Sequence, residues 1–209
     1  MPEKGTRRSE ETGSKPCSPG LKKIAETDAT LVLEDEAGLS LIPLVGRTWA
    51  PKGKTPRIEY NFNWKKLSAM AGITLDGKIY FRVHECSIKK EQVIQYLGQL
   101  LRHIKGYIVI LWDGSSAHRA KDVTHFLDEH KDRISAYRIP PYSPDFNPVE
   151  WLWAEIKWGK MKGYCPKKLE ELRRKLYSCV RSLRNKAALV RSYFDASSLP
   201  PIGKTSQAT

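Results

Sequence analysis

At 209 residues, with 40% hydrophobic residues and six tryptophans, the chain is long enough for one ordinary domain with a core of its own. Its net charge of +13 points to an anionic polymer as partner, nucleic acid first. No apolar run approaches the roughly 20 residues of a membrane span, and the N-terminus lacks the hydrophobic stretch of a secretory signal. Cys17, Cys86, Cys165 and Cys179 show neither C-x-x-C pairing nor histidines at zinc spacing, so they read as reduced thiols of a cytoplasmic protein.

Residues 1–23 are polar, aperiodic and rich in Gly, Ser and Pro, and read as a disordered leader. A short β-branched run, Ala29–Glu34, predicts a buried strand. Residues 38–58 carry three glycines and three prolines and predict a long loop. Lys66–Thr74 and Lys78–Cys86 predict two strands joined at Leu75-Asp76-Gly77, where Asp-Gly is a hairpin signal. Val93, Leu97, Leu100 and Ile104 recur at helical spacing from about Lys89 to His103, with Gly106 closing the helix. Tyr107–Trp112 predicts the clearest buried strand. A helix over Ala117–His130 and a strand over Ile134–Ile139 follow. This order predicts an α/β fold, a mixed sheet of five strands with helices on its faces. The core domain spans 24–165. A basic amphipathic helix spans 166–196 and a disordered tail 197–209.

Three carboxylates stand at the ends of predicted elements. Asp35 follows the first strand, Asp113 follows the fourth, and Glu150 opens the helix after the fifth. If the first and fourth strands are neighbours, Asp35 and Asp113 emerge side by side, and Glu150 reaches across from its helix. Such oxygen ligands suit two hard divalent ions, Mg²⁺ first, in phosphoryl transfer. The segment PPYSPDFNPVEWLW fixes how Glu150 is presented. Four prolines forbid regular structure up to Asn147, a good N-cap, and Pro148 suits the first helical position. Val149, Leu152, Trp153 and Ile156 then form an apolar stripe. Taken alone, Asn147 and Glu150 are also a capping-box pair.

Glu34 and Glu36 flank Asp35, and strand alternation points them to the other face. Glu36 and Asp145 remain reserve candidates. His118, five residues after Asp113, is placed to contact a phosphate or to orient the site, and His84 and Glu85 read as surface. Trp49 with Lys52, Lys54 and Arg57 pairs an aromatic with basic groups, a combination that grips phosphates and stacks on unpaired bases; a loop anchor is the other reading of Trp49. Lys157 and Lys160 begin a basic stretch suited to tracking a DNA backbone in a salt-dependent, sequence-blind way.

Four ordered pieces resemble the DDE transposases of the Tc/mariner superfamily, in particular their bacterial insertion-sequence branch. They are LVLEDEAGLSL, GRTWAPKGKTP, WDGSSAH and PPYSPDFNPVEWLW, covering about residues 29–165. The 36 residues between Asp113 and Glu150 are near the spacing of that superfamily. The resemblance implies a ribonuclease H-like (retroviral integrase-like) fold, with Asp35, Asp113 and Glu150 as the catalytic, metal-binding acids. It implies two Mg²⁺ ions, replaceable by Mn²⁺, cleavage of double-stranded DNA at transposon ends, and strand transfer into target DNA at a TA dinucleotide. A homodimer and action in the bacterial cytoplasm on the nucleoid, away from any membrane, are further expectations. Members of the superfamily carry N-terminal helix-turn-helix modules. Here a short polar leader precedes the first strand, so an upstream-encoded helix-turn-helix partner or fusion is expected. A ribonuclease H-like nuclease without strand transfer and an inactive DNA-binding remnant are the alternative readings.

Overall fold

The first strand, β1 (Thr30–Ser40), runs longer than its apolar pattern predicts. The apolar run stops at Leu33, and the charged triplet after it looks like a strand end. The strand continues because β2 (Lys66–Thr74) pairs with it antiparallel from Val32↔Thr74 to Ser40↔Lys66, satisfying the backbone whatever the side chains are. Asp35 therefore lies in mid-strand, opposite Ala71, and not at the strand's end. These positions come from a computed structural model that describes residues 29–60, 63–140 and 144–199. The expected leader, 1–23, and the tail from residue 200 lie outside the described residues.

β2 has the predicted bounds, and β3 (Ile79–His84) pairs antiparallel with it. The turn between them needs glycine: Gly77 has φ 84°, and a Cβ there would meet the carbonyl of Ala187. Next come α1 (Lys90–His103), β4 (Ile108–Trp112), α2 (Lys121–Glu129) and β5 (Ile134–Arg138). Helix α2 starts later than its pattern predicts because Ala120 is extended (φ −62°, ψ 140°), and a turn fills 116–119. The sheet order is β3-β2-β1-β4-β5, with β1-β4 and β4-β5 parallel. The parallel crossovers are the helices α1 and α2.

Alternation along the strands gives two cores. On one face Leu31, Leu33, Ala71, Ile73, Phe81, Val109 and Leu111 are buried. On the other, Val32, Met70, Ile108, Ile110 and Trp112 pack with Val93, Tyr96, Leu97 and Leu100 of α1. Gly72 permits the close approach of α1, because a Cβ there would strike the Tyr96 hydroxyl and Val32. That hydroxyl donates to the Tyr80 carbonyl at 3.2 Å.

The first face is covered by α3 (Val149–Ala154), a π-helical segment (Glu155–Lys160), α4 (Leu169–Arg184) and α5 (Ala187–Asp195). The single helix expected over 166–196 is two. Lys186 leaves helical geometry (φ −121°, ψ 52°), and its N–H closes the turn on the Leu183 carbonyl at 2.8 Å. The apolar spacing hid the break because Leu183 and Val190 enter the same core from either side of it. With Leu172, Leu176 and Val180 also in that core, these helices are part of the sheet's own fold.

Candidate active site

Parallel pairing of β1 with β4 runs from Thr30↔Ile108 to Leu33↔Leu111 and then stops. Two residues beyond that last pair on either strand stand Asp35 and Asp113. The two aspartates thus leave the same end of the central parallel pair, as the neighbouring-strand expectation required. Asp113 follows the last residue of β4, and its side chain is 60% exposed. Asp35 is held in place by β2 on the other side.

Glu150 arrives in the first turn of α3, on the face of the sheet that carries Asp35. The local physics is as the sequence predicts. The Asn147 side-chain oxygen accepts from the Val149 N–H at 3.2 Å, and Pro148 already has helical angles (φ −64°, ψ −12°). Val149, Leu152, Trp153 and Ile156 are all buried, which fixes the rotation of the helix and leaves Glu150 exposed.

One turn after Glu150, the Trp153 indole N–H donates to Asp35 Oδ2 at 3.0 Å. The sequence places Trp153 in the core, which holds, but says nothing of this bond. The i, i+3 relation to Glu150 is the one signal that aligns the two side chains. Burial raises the Asp35 carboxyl from 3.8 to about 7, and the charge of Glu150 adds to the rise. The hydrogen bonds from the Glu36 backbone and from Trp153 oppose it, and Asp113 contributes a smaller rise. The charges of Glu150 and, more weakly, Asp113 are thus felt at Asp35.

Behind Asp35, on the opposite face of β1, lies a second cluster. Glu34 is completely buried, and burial followed by the charges of Glu36, Asp35 and Asp113 pushes its carboxyl well above the usual range. His118, with a side chain only 2% exposed, stacks on Trp112 at 4.2 Å between ring centres and 7° between planes. Its Nδ1 lies 2.9 Å from Asp113 Oδ1 and 3.2 Å from the Asp113 carbonyl. Its Nε2 lies 3.5 Å from Glu34 and 3.4 Å from Glu36. Burial lowers the His118 pKa, but Glu36 and Asp113 together outweigh it, and the net shift is upward. His118, expected at a phosphate or orienting the site, is enclosed under the sheet end with its ring against Asp113. Glu36, as alternation predicts, faces His118 and not the Asp35 side.

The remaining candidates are scattered. Trp49 is 99% exposed, which removes the loop-anchor reading, and Lys52, Lys54 and Arg57 are exposed on the same loop. A turn at Pro51–Lys54 around Gly53 (φ 81°) presents the two lysines. The root of this loop is fixed by the Gly163 N–H to the Leu44 carbonyl at 2.9 Å and by Lys162 Nζ to the Arg47 carbonyl at 2.8 Å. Lys157 is half-buried beside Ser40 and Tyr164, and Lys160 donates to Ser182 of α4 at 3.3 Å. Asp145 is exposed in a short 3-10 turn, Pro144–Phe146. Glu85 pairs with Arg173 of α4. Cys86, Cys165 and Cys179 are unpaired; Cys17 lies outside the described residues. Among the described residues, no helix is long and apolar enough to cross a membrane.

A mixed sheet of this order, with carboxylates gathered at the end of its central parallel pair, is the ribonuclease H-like architecture. Residues 30–173 match the family model of the DDE superfamily endonucleases, and the chain belongs to that family. Its fold is similar to a mariner Mos1 paired-end complex with Mg, at TM-score 0.60 and 16% identity over 93% of this chain and 65% of that one. It is similar to the Mos1 strand transfer complex at TM-score 0.56 and 17% identity, covering 88% of this chain and 60% of that chain. The isolated Mos1 mariner catalytic domain aligns over its whole length and 96% of this chain, at 15% identity and TM-score 0.51. The chain thus spans 60–65% of the length of the first two Mos1 chains. A search of curated proteins gives no significant sequence match.

Proposed function

We propose that this chain is the catalytic unit of a Tc/mariner-type DDE transposase that cleaves DNA at transposon ends and joins the freed 3′ hydroxyl to target DNA. Asp35, Asp113 and Glu150 are its catalytic acids. The observation that carries the reading is that Asp35 and Asp113 stand two residues beyond the last β1–β4 pair, while the helix opened by Glu150 brings Trp153 onto the half-buried Asp35 carboxylate. Such a set is unstable as three bare charges and needs cations. Its donors are carboxylate oxygens only, which fits Mg²⁺ or Mn²⁺. Bound ions would supply an activated attacking oxygen and a counter-charge for the leaving oxygen.

The protein's own residues set the geometry. Trp153 occupies one lone pair of Asp35 Oδ2 and leaves the rest of the carboxylate for ligation. His118 fixes Asp113 Oδ1, and the Ser115 N–H donates to the same oxygen at 2.9 Å. Asp113 and Glu150 are open to solvent, so a phosphodiester can approach. Trp49, Lys52, Lys54 and Arg57 serve as a DNA-gripping loop, with Lys157 and Lys160 tracking the backbone. A homodimer on two DNA ends, a helix-turn-helix partner or fusion for end recognition, and a bacterial cytoplasmic setting on the nucleoid complete the reading.

The test is cleavage of end-bearing DNA with Mg²⁺ by wild type, Asp35→Asn, Asp113→Asn and Glu150→Gln. Each variant should lose at least about 100-fold in rate, with DNA retention in a filter assay within about twofold. Cleavage that survives all three substitutions sinks the assignment. Cleavage without joining of a pre-cleaved end to plasmid DNA favours the purely hydrolytic nuclease. Binding without either activity favours the inactive DNA-binding remnant.

A further inference from the structure

Of the cluster behind Asp35, the mechanism above uses only His118 Nδ1, against Asp113; Glu34, Glu36 and His118 Nε2 have no part in it. We propose that Glu34, Glu36 and His118 form a second, structural metal site for a zinc-type divalent ion, on the opposite side of β1 from Asp35. Three observations carry it. One ligand atom from each residue lies within 4.8 Å of the others. Both carboxylate oxygens of Glu34, Oε1 of Glu36 and Nε2 of His118 are buried and make no hydrogen bond. The histidine is oriented as in a carboxylate–histidine–metal arrangement: Nδ1 is engaged by Asp113, which leaves Nε2 aimed between the two glutamates.

The two nitrogen–oxygen separations fit an ion. Zinc lies about 2.0–2.1 Å from nitrogen and about 2.0–2.2 Å from oxygen, and a tetrahedral angle then separates N from O by about 3.4 Å. The observed separations are 3.5 Å and 3.4 Å, long for a hydrogen bond and right for a shared cation. One imidazole with two carboxylates suits zinc, or cobalt in its place, better than magnesium, which prefers oxygen alone. The Glu36 side chain is 28% exposed and gives the ion a way in and room for a water as fourth ligand. The ion would tie β1 to the loop after β4, and through His118 it would hold Asp113 in place.

The proposal does not depend on DNA chemistry, so its test needs no substrate. The full chain with Asp35→Asn and Glu150→Gln, which removes acids of the catalytic set without touching His118, is stripped with chelator and dialysed against zinc chloride. Mass spectrometry should find one zinc per chain. Zinc at about hundredfold excess over its dissociation constant should raise Tm by about 5 °C or more. Cobalt should give the visible absorption of a tetrahedral ion. Adding His118→Gln should abolish all three. Glu36→Gln, at a partly exposed position that tolerates change, should weaken zinc retention at least about tenfold in a chain that still folds. Zinc retention unchanged by Glu36→Gln overturns the proposal. So does a folded parent that retains no zinc and shows no Tm shift, which would mean that protons alone neutralise the cluster.

Discussion

In chelator, Asp35 should make the protein less stable as pH rises from about 4 to about 7, and Asp35→Asn should remove that part of any loss. The unfolded Asp35 carboxyl ionises near 3.8, whereas the folded one holds its proton to about 7. Below pH 4 both states are protonated and nothing is lost. Between the two values the unfolded state releases a proton that the folded state keeps, so stability falls by about 1.4 kcal/mol per pH unit. Above 7 both states are ionised and the loss is complete. Roughly three units give an upper value of about 4 kcal/mol; solvent at the open side of the site cuts this to about 2 kcal/mol. For a chain of this size that is about 4–8 °C in Tm. The assay is a pair of thermal melts, wild type and Asp35→Asn, from pH 4 to pH 8 in chelator at low salt. The variant should draw ahead between pH 4 and pH 7 and hold a constant lead above it. Millimolar Mg²⁺ at pH 7.5 should close the gap by stabilising the wild type alone. A wild type as stable as the variant at pH 7.5 in chelator would refute the electrostatic account of the site.

Trp153→Phe removes the indole N–H from Asp35, and should raise the Mg²⁺ concentration needed for half-maximal cleavage by about tenfold, read from a metal titration of the rate. Gly72→Ala drives a methyl into Tyr96 and Val32 and should cost about 1–3 kcal/mol in a denaturant melt, with no change in metal requirement for the protein that remains folded. Replacing Lys52, Lys54 and Arg57 by alanine should flatten the plot of log DNA affinity against log salt by about 0.9 for each phosphate no longer neutralised. An unchanged slope would take the loop out of the DNA interface.

The central sheet was readable because its strands carry their own pattern. Lys66–Thr74 has matching bounds in sequence and structure, and its glycine-turned neighbour is off by two residues at its end. What failed did so where a partner element supplies the hydrogen bonds or the burial. Asp35 reads as a strand end, since no local rule announces that β2 will run alongside it to Ser40. The break at Lys186 is invisible in a hydrophobic repeat that continues through it. Of the candidate site, the placement of Asp35 and Asp113 on neighbouring strands, of Glu150 in the first turn of its helix, and the direction of Glu34 and Glu36 were legible from motif and alternation. The complete burial of Glu34 was not, because it depends on the imidazole of His118 and on the packing of α1.

The uninterrupted course of β1 through Glu34, Asp35 and Glu36 makes the chemistry of this protein a matter of parity. Point substitutions can retune either side of the strand independently. A one-residue insertion or deletion ahead of Asp35 that no bulge absorbs would transpose the two sides, sending a glutamate to the face of Trp153 and Glu150 and the aspartate into the histidine pocket.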